Sequence, residues 1–205
     1  MIQFSMNMIL PIVLQNGLNT SSLTSALVLL PATLIVCFTT PIAGKFFDKF
    51  GGKVLIPIGL FIMCISMWLF SRIGVSTPIK SITILYCFVC LGVSLLLSPL
   101  QANALNQLSS EQHADGIAIT NTAIQVAAAI GSTLFVGLMT TGQSNFLNNI
   151  ISGSTAEIKV QALYSGFRYS MKAAVIIIAI GFIFSLFLGY DRSTGIKTRK
   201  IYSKL

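Results

Sequence analysis

Five acids, one histidine and four cysteines are the residues of this chain that would form a carboxylate acid–base pair, a thiol or imidazole nucleophile, or a metal site. The acids are Asp48, Glu111, Asp115, Glu157 and Asp191, and no two of them fall together inside an apolar run, as a membrane-embedded acid–base pair would require. Cys87-x-x-Cys90 has metal-knuckle spacing, but it stands in an apolar stretch with no second pair, and His113 lies far off in a polar island. We therefore expect no catalytic residues, no metal ligands and no cofactor, and an intramembrane protease or hydrolase is disfavoured. What remains is recognition by charge and by carboxamides: a tight charged cluster from Gly44 to Lys53, and asparagines and glutamines set within apolar runs.

The cluster reads GKFFDKFGGK, of the form G-x-x-x-D-K-x-G-x-K, carried by Gly44, Asp48, Lys49, Gly51 and Lys53. Gly44 suits a helix end that packs closely, and Gly51-Gly52 suit the positive φ that reverses a chain within a few residues. Lys45, Lys49 and Lys53 mark the segment as a cytoplasmic turn by the positive-inside rule. Taken by itself, it is equally an ordinary basic turn with one solvated carboxylate.

The chain has 205 residues, of which 54% are hydrophobic and 9% charged, against roughly 25% charged in a soluble domain. That composition excludes a water-soluble globule. Apolar runs long enough to cross a bilayer, about 20 residues as helix, separate a few islands of charge. The net charge of +8 is concentrated in the Gly44–Lys53 turn and after Asp191, where topology and anionic headgroups account for it without nucleic acid. The four cysteines all fall within expected spans, so no disulfide framework is indicated.

The expected elements form an all-α membrane protein with six transmembrane helices. Met1–Leu14 is a first span, short enough to look truncated at its N-terminus and lacking the basic flank and cleavage site of a signal peptide. Leu23–Ala43 is the second, with Pro31 suggesting a kink; Val54–Phe70 is the third and Ser81 to about Ala102 the fourth. A polar island, Asn103–Asp115, precedes the fifth span, Gly116–Met139. A polar loop is expected from Thr140 to about Phe167, then a sixth span from Tyr169 to Tyr190 with a tyrosine at each end. Residues 1–190 thus form one bundle and 191–205 a basic tail. Lys45, Lys49, Lys53, Arg192, Lys197, Arg199, Lys200 and Lys204 fall on the side of both termini, and Arg72, Lys80, Lys159, Arg168 and Lys172 on the other. Both termini are thereby expected in the cytoplasm.

A carboxamide in lipid needs a partner or a water-filled cavity. Asn121 and Gln125 are four apart on the fifth span, with Ser132 seven further on, so the three share nearly one helix face. Ala123, Ala127 and Gly131 make an adjacent small-xxx-small stripe suited to helix packing. Gln101 and Asn103 end the fourth span, and Gln3 and Asn7 place amides on the first. Hydrogen bonds between helices, at about 0.6 to 2 kcal/mol each, explain any one of them; several on different spans suggest a common polar interior.

The Gly44–Lys53 segment resembles the cytoplasmic signature loop of the major facilitator superfamily. The run Ser98-Pro99-Leu100-Gln101, followed by Gly116 to Gln125 and Ala129-Ile130-Gly131, is similar to the C-terminal half of that superfamily's fourteen-span drug:proton antiporters. Ile124 stands where such relatives commonly carry a basic residue, and Ala127-Ala128 where they often carry glycines, which bears on substrate choice and helix spacing.

The resemblance implies the C-terminal part of a proton-coupled multidrug efflux transporter working by alternating access, not active alone. Its partners would be small hydrophobic or cationic drug-like substrates, protons and the lipid bilayer of a plasma membrane, the bacterial inner membrane by this reading. Gly44, Asp48, Lys49, Gly51 and Lys53 would form the gate, Asp115 would cap a helix facing the other half, and Asn7, Gln101, Asn121, Gln125 and Ser132 would line the cavity. A carboxylate at the bilayer centre costs about 2.5 to 3.5 kcal/mol even on lenient scales; all five acids map to loops or span ends, so the proton site is expected in an N-terminal half. Two other readings stay open, a small membrane protein that oligomerises as a channel or half-transporter, and a non-transporting scaffold.

Overall fold

The computed structural model describes residues 1–105, 108–109, 112–148 and 156–187, and gives backbone only at Asp48, Lys53, Pro99, 102–105 and Phe187. Glu111, Asp191 and the basic tail lie outside the described residues, as do the side chains of Asp48, Lys53 and Asn103.

Among the described residues six helices follow in order: α1 (Ile2–Gly17), α2 (Ser22–Phe50), α3 (Gly52–Phe70), α4 (Ile79–Leu105), α5 (His113–Asn148) and α6 (Ala156–Phe187). Among the described residues there is no strand. Of the described residues, four segments are long and apolar enough to cross a membrane, Ser22–Phe47, Ile79–Ser98, His113–Asn148 and Ala156–Leu186, while Val54–Phe70 is a shorter apolar helix. With its 16 residues α1 spans about 24 Å, less than the ~30 Å hydrocarbon core. The chain is a multi-pass, all-helical membrane protein.

Local chemistry sets the helix ends. Thr20 Oγ1 donates to Leu14 O at 2.8 Å and closes the end of α1, while Ser21 caps α2 by accepting from Thr24 N–H at 3.2 Å. The helix of α2 continues through Pro31 and Pro41, whose lost N–H bonds leave the ladder intact on either side.

Three expected boundaries are corrected. The Gly44–Lys53 turn is helix except at one residue: α2 runs to Phe50, α3 begins at Gly52, and Gly51 alone, at φ 72°, ψ 168°, makes the reversal. The loop expected from Thr140 to Phe167 is largely helical, because α5 continues to Asn148 and α6 starts at Ala156. Packing holds those extensions: an added Cβ on Gly142 would stand 2.8 Å from Gly166 Cα, and Ala162, Leu163, Tyr164 and Phe167 are buried. Asp115 sits inside the first turn of α5, which begins two residues earlier, so it favours the helix dipole without occupying the cap position.

The core is shared by all the helices except the outer turns. It includes Met6, Ile9, Leu10 and Val13 of α1, Met67 and Phe70 of α3, Tyr86 and Val89 of α4, Phe135 of α5, and Phe167 and Met171 of α6. The main packing circuit runs α2, α4, α3, α6, α5, α1, with α1 touching α2 to close it. Exchanging α1, α2 and α3 with α4, α5 and α6 maps every packed pair onto a packed pair, α3 with α6 and α1 with α4 onto themselves.

Candidate functional site

At the α2–α3 reversal, Gly51 N–H donates to Phe47 O at 2.8 Å, and a Cβ on Gly52 would stand 3.2 Å from the Phe47 ring. Phe46 and Phe50 stack with centroids 5.9 Å apart, and Lys49 Nζ lies 5.3 Å from the Phe50 centroid. Lys49 also sits in the last turn of α2, where a cation complements the helix dipole. A Cβ on Gly44 would meet Ser98 Oγ at 3.5 Å, an ordinary contact, so the expected close approach at Gly44 is absent.

The carboxamides divide into one that is held and three that are not. Tyr86, fully buried on α4, donates its hydroxyl to Asn7 Oδ1 on α1, so the Asn7 amide oxygen is occupied while the side chain stays exposed. Asn121 and Gln125 are both exposed on α5, and Gln101 is half-buried on α4. Among the described residues no hydrogen bond engages Asn121, Gln125 or Gln101 through its side chain, nor joins any of them to Asn7. Among the described residues, then, no interhelical hydrogen bond accounts for the α5 pair. Ser132, half-buried, donates to Ala129 O at 3.0 Å within its own helix.

The packing face of α5 is Ala128, Gly131, Phe135, Met139 and Gly142. The expected stripe of Ala123, Ala127 and Gly131 shares only Gly131 with it; Ala123 is exposed and Ala127 half-buried. At Gly131 a Cβ would stand 2.8 Å from Met1 Cα, so the α1–α5 contact admits no side chain there. Asn121 lies seven residues before Ala128, on nearly the same azimuth as that packed face, and Gln125 about 40° further round; both are exposed in the N-terminal part of α5, ahead of the residues that pack.

Sequence reasoning missed the polar ties between helices. Thr39 and Ser94 hydroxyls pair at 2.8 Å between α2 and α4. Ser170 Oγ donates to Phe135 O at 2.9 Å between α6 and α5, and Arg168 Nε donates to Ile73 O at 3.0 Å, binding α6 to the α3–α4 connection. Each is a hydroxyl or cation in an apolar context, a signal the sequence carries without naming a partner. Among the described residues no group of histidine, cysteine, aspartate or glutamate could hold a metal ion.

A family model described as Major Facilitator Superfamily matches residues 1–132. Lincomycin resistance protein LmrB of Bacillus subtilis is 35% identical over 188 residues, covering 92% of this chain and 39% of that protein. The LmrB of Listeria monocytogenes is 32% identical over 188 residues, covering 92% and 40%. An uncharacterized MFS-type transporter of Bacillus subtilis, YhcA, is 34% identical over 132 residues, covering 64% and 25%. The chain thus spans about two fifths of the length of the LmrB proteins it matches.

Proposed function

The chain belongs to the Major Facilitator Superfamily, and from that membership we propose that it forms the C-terminal part of a proton-coupled multidrug efflux transporter working by alternating access. Such a protein moves its substrate without bond chemistry. The observation that carries the reading is the α5 pair: Asn121 and Gln125 are exposed on an apolar helix, and among the described residues neither side chain makes a hydrogen bond. Polar groups at that depth require a water-filled cavity or a second half against them. The drug-efflux character is supported by the likeness to proteins named for lincomycin resistance, and the partial span by the two-fifths coverage of those proteins.

In this reading Asn7, Gln101, Asn121, Gln125 and Ser132 line one wall of the cavity, and the substrates are small hydrophobic or cationic drug-like molecules. The proton carrier is a carboxylate outside this chain: Asp115 and Glu157 stand in the first turns of α5 and α6, and Asp48 near the end of α2. The protein sits in the bacterial inner membrane with both termini cytoplasmic.

Asp48 serves as a latch. Its anion faces a helix N-terminus of the other half, where the dipole and free N–H groups attract negative charge while the cytoplasmic side is closed. Asp115 marks the α5 terminus that receives the corresponding carboxylate in return. The test is Asp48→Asn in the complete transporter. Drug transport falls, expression holds, and a cysteine at Gln125 becomes more accessible from the cytoplasm. Transport equal to wild type across a range of proton gradients removes the latch and leaves a solvated turn. Proton-driven dye efflux by the purified 205-residue chain in liposomes removes the proposal that the carrier lies outside it.

A further inference from the structure

Beside the Gly142–Gly166 crossing of α5 and α6 lies a cleft of about 300 Å³ whose lining includes Asn145, Phe146, Ser165, Arg168, Tyr169 and Lys172. Arg168 and Lys172 are four apart on α6, so two like charges repel on one face of the helix. The described acids stand elsewhere: Asp115 is at the opposite end of α5, and Glu157 is in the first turn of α6, about 16 Å along the axis before Arg168. Arg168 is also pre-positioned, because its Nε donates to Ile73 O at 3.0 Å and fixes the guanidinium while its terminal amino groups stay available as donors. Arg168, Lys172, Asn145, Ser165 and Tyr169 together offer donors suited to an anion with several oxygens.

We propose that this cleft binds the phosphate of an anionic phospholipid, with an acyl chain lying along α6 beneath it. The apolar face supplies the reason to choose a lipid over a free anion. Ile176 and Ile183, four and eleven residues after Lys172, project within a narrow arc of the same helix face and are 61% and 53% exposed. Cations therefore stand directly above an uncovered apolar strip. Exposed Tyr169 marks the interface between the two, as an aromatic belt residue does. A free phosphate would use only the upper part of this surface, and a zwitterionic lipid would bring its own cation into a cationic cleft.

The test uses the full 205-residue chain in detergent micelles, with bound lipid counted by native mass spectrometry. Dioleoyl phosphatidylglycerol, dioleoyl phosphatidylcholine and glycerol phosphate are the probes. Two basic residues at a membrane surface predict a preference for phosphatidylglycerol over phosphatidylcholine of roughly 20-fold, and Lys172→Gln lowers it roughly fivefold with an unchanged melting temperature. Arg168→Gln abolishes the remainder; should the loss of its Ile73 bond unfold the chain, Lys172→Gln alone decides. Lys80→Gln, a cation at the same end outside the cleft, leaves the preference intact. Equal retention of the two lipids overturns the proposal. Equal effects of Lys80→Gln and Lys172→Gln reduce it to diffuse surface charge, and displacement of the lipid by equimolar glycerol phosphate assigns the cleft to a free anion instead.

Discussion

The α3/α4 and α5/α6 pairs both cross at facing glycines, yet the two crossings lie in different surroundings. Gly59 and Gly92 meet inside apolar segments, where a Cβ on Gly59 would stand 2.9 Å from Gly92 O and one on Gly92 would stand 2.6 Å from Met63 Cγ. Gly142 and Gly166 meet in the polar extensions. There a Cβ on Gly142 would stand 2.8 Å from Gly166 Cα, and one on Gly166 would run into the Met139 carbonyl oxygen and reach within 2.7 Å of Gln143 Cγ. In the first pair the nearest obstacle at Gly92 is a flexible side chain, which can turn aside; in the second it is backbone, which cannot. Close approach of helices is thus used both inside the strongly apolar segments of α3 and α4 and in the stretch of α5 and α6 where the sequence is more polar.

That difference predicts an order of effects. Gly166→Ala is the most damaging, costing on the order of 3 kcal/mol, the upper end for overpacking a tight contact. It is measured as loss of the folded fraction, or a clear fall in apparent melting temperature, in detergent. Gly92→Ala costs about 1 to 2 kcal/mol, because Met63 can yield while Gly59 O, at 2.9 Å, cannot. If Gly92→Ala proves as damaging as Gly166→Ala, the distinction between side-chain and backbone obstacles fails. Ser170→Ala ranks third. It removes the hydroxyl that donates to Phe135 O at 2.9 Å across the α5/α6 pair, and a fall of about 1 kcal/mol is expected, since that carbonyl keeps its place in the α5 ladder.

The same comparison shows what hydropathy can and cannot reveal. The apolar runs that built the α3/α4 crossing announce two helices directly. The polar stretch from Thr140 to Phe167 reads as loop because hydropathy reports contact with lipid, and helicity there is sustained by helix-on-helix packing instead. A signal was present: Leu163, Phe167, Met171, Ala174 and Ile178, all buried, recur at three- and four-residue spacing across the supposed boundary. At the α2–α3 reversal the glycines were legible and the extent of helix was not, since charged residues are good helix formers and Lys49 supports a C-terminus. For the candidate cavity, helical spacing sufficed to put Asn121 and Gln125 close together on α5; that both are exposed follows from where along the helix the packing begins, at Ala128, which spacing does not reveal. The hydroxyl that holds Asn7 was not legible, because Tyr86 lies 79 positions away and nothing local pairs them.

The smallest effect belongs to Gly137, whose position separates a glycine needed for packing from one that is merely present. It lies on α5 between Phe135 and Met139, two residues of the packed face, yet an added Cβ there meets nothing within 4 Å. Gly137→Ala therefore introduces no clash, and it removes the conformational freedom that makes glycine about 1 kcal/mol worse than alanine inside a helix. The Gly137 carbonyl accepts from Thr140 Oγ1 at 2.8 Å and Thr141 Oγ1 at 2.9 Å, bonds that a Cβ leaves untouched. The apparent melting temperature should accordingly hold or rise slightly, while Gly166→Ala on the facing helix lowers it. A fall at Gly137 comparable to that at Gly166 would mean that the whole face of α5 is packed against something beyond this bundle, and the contrast between the two crossings would then have to be measured again with that neighbour in place.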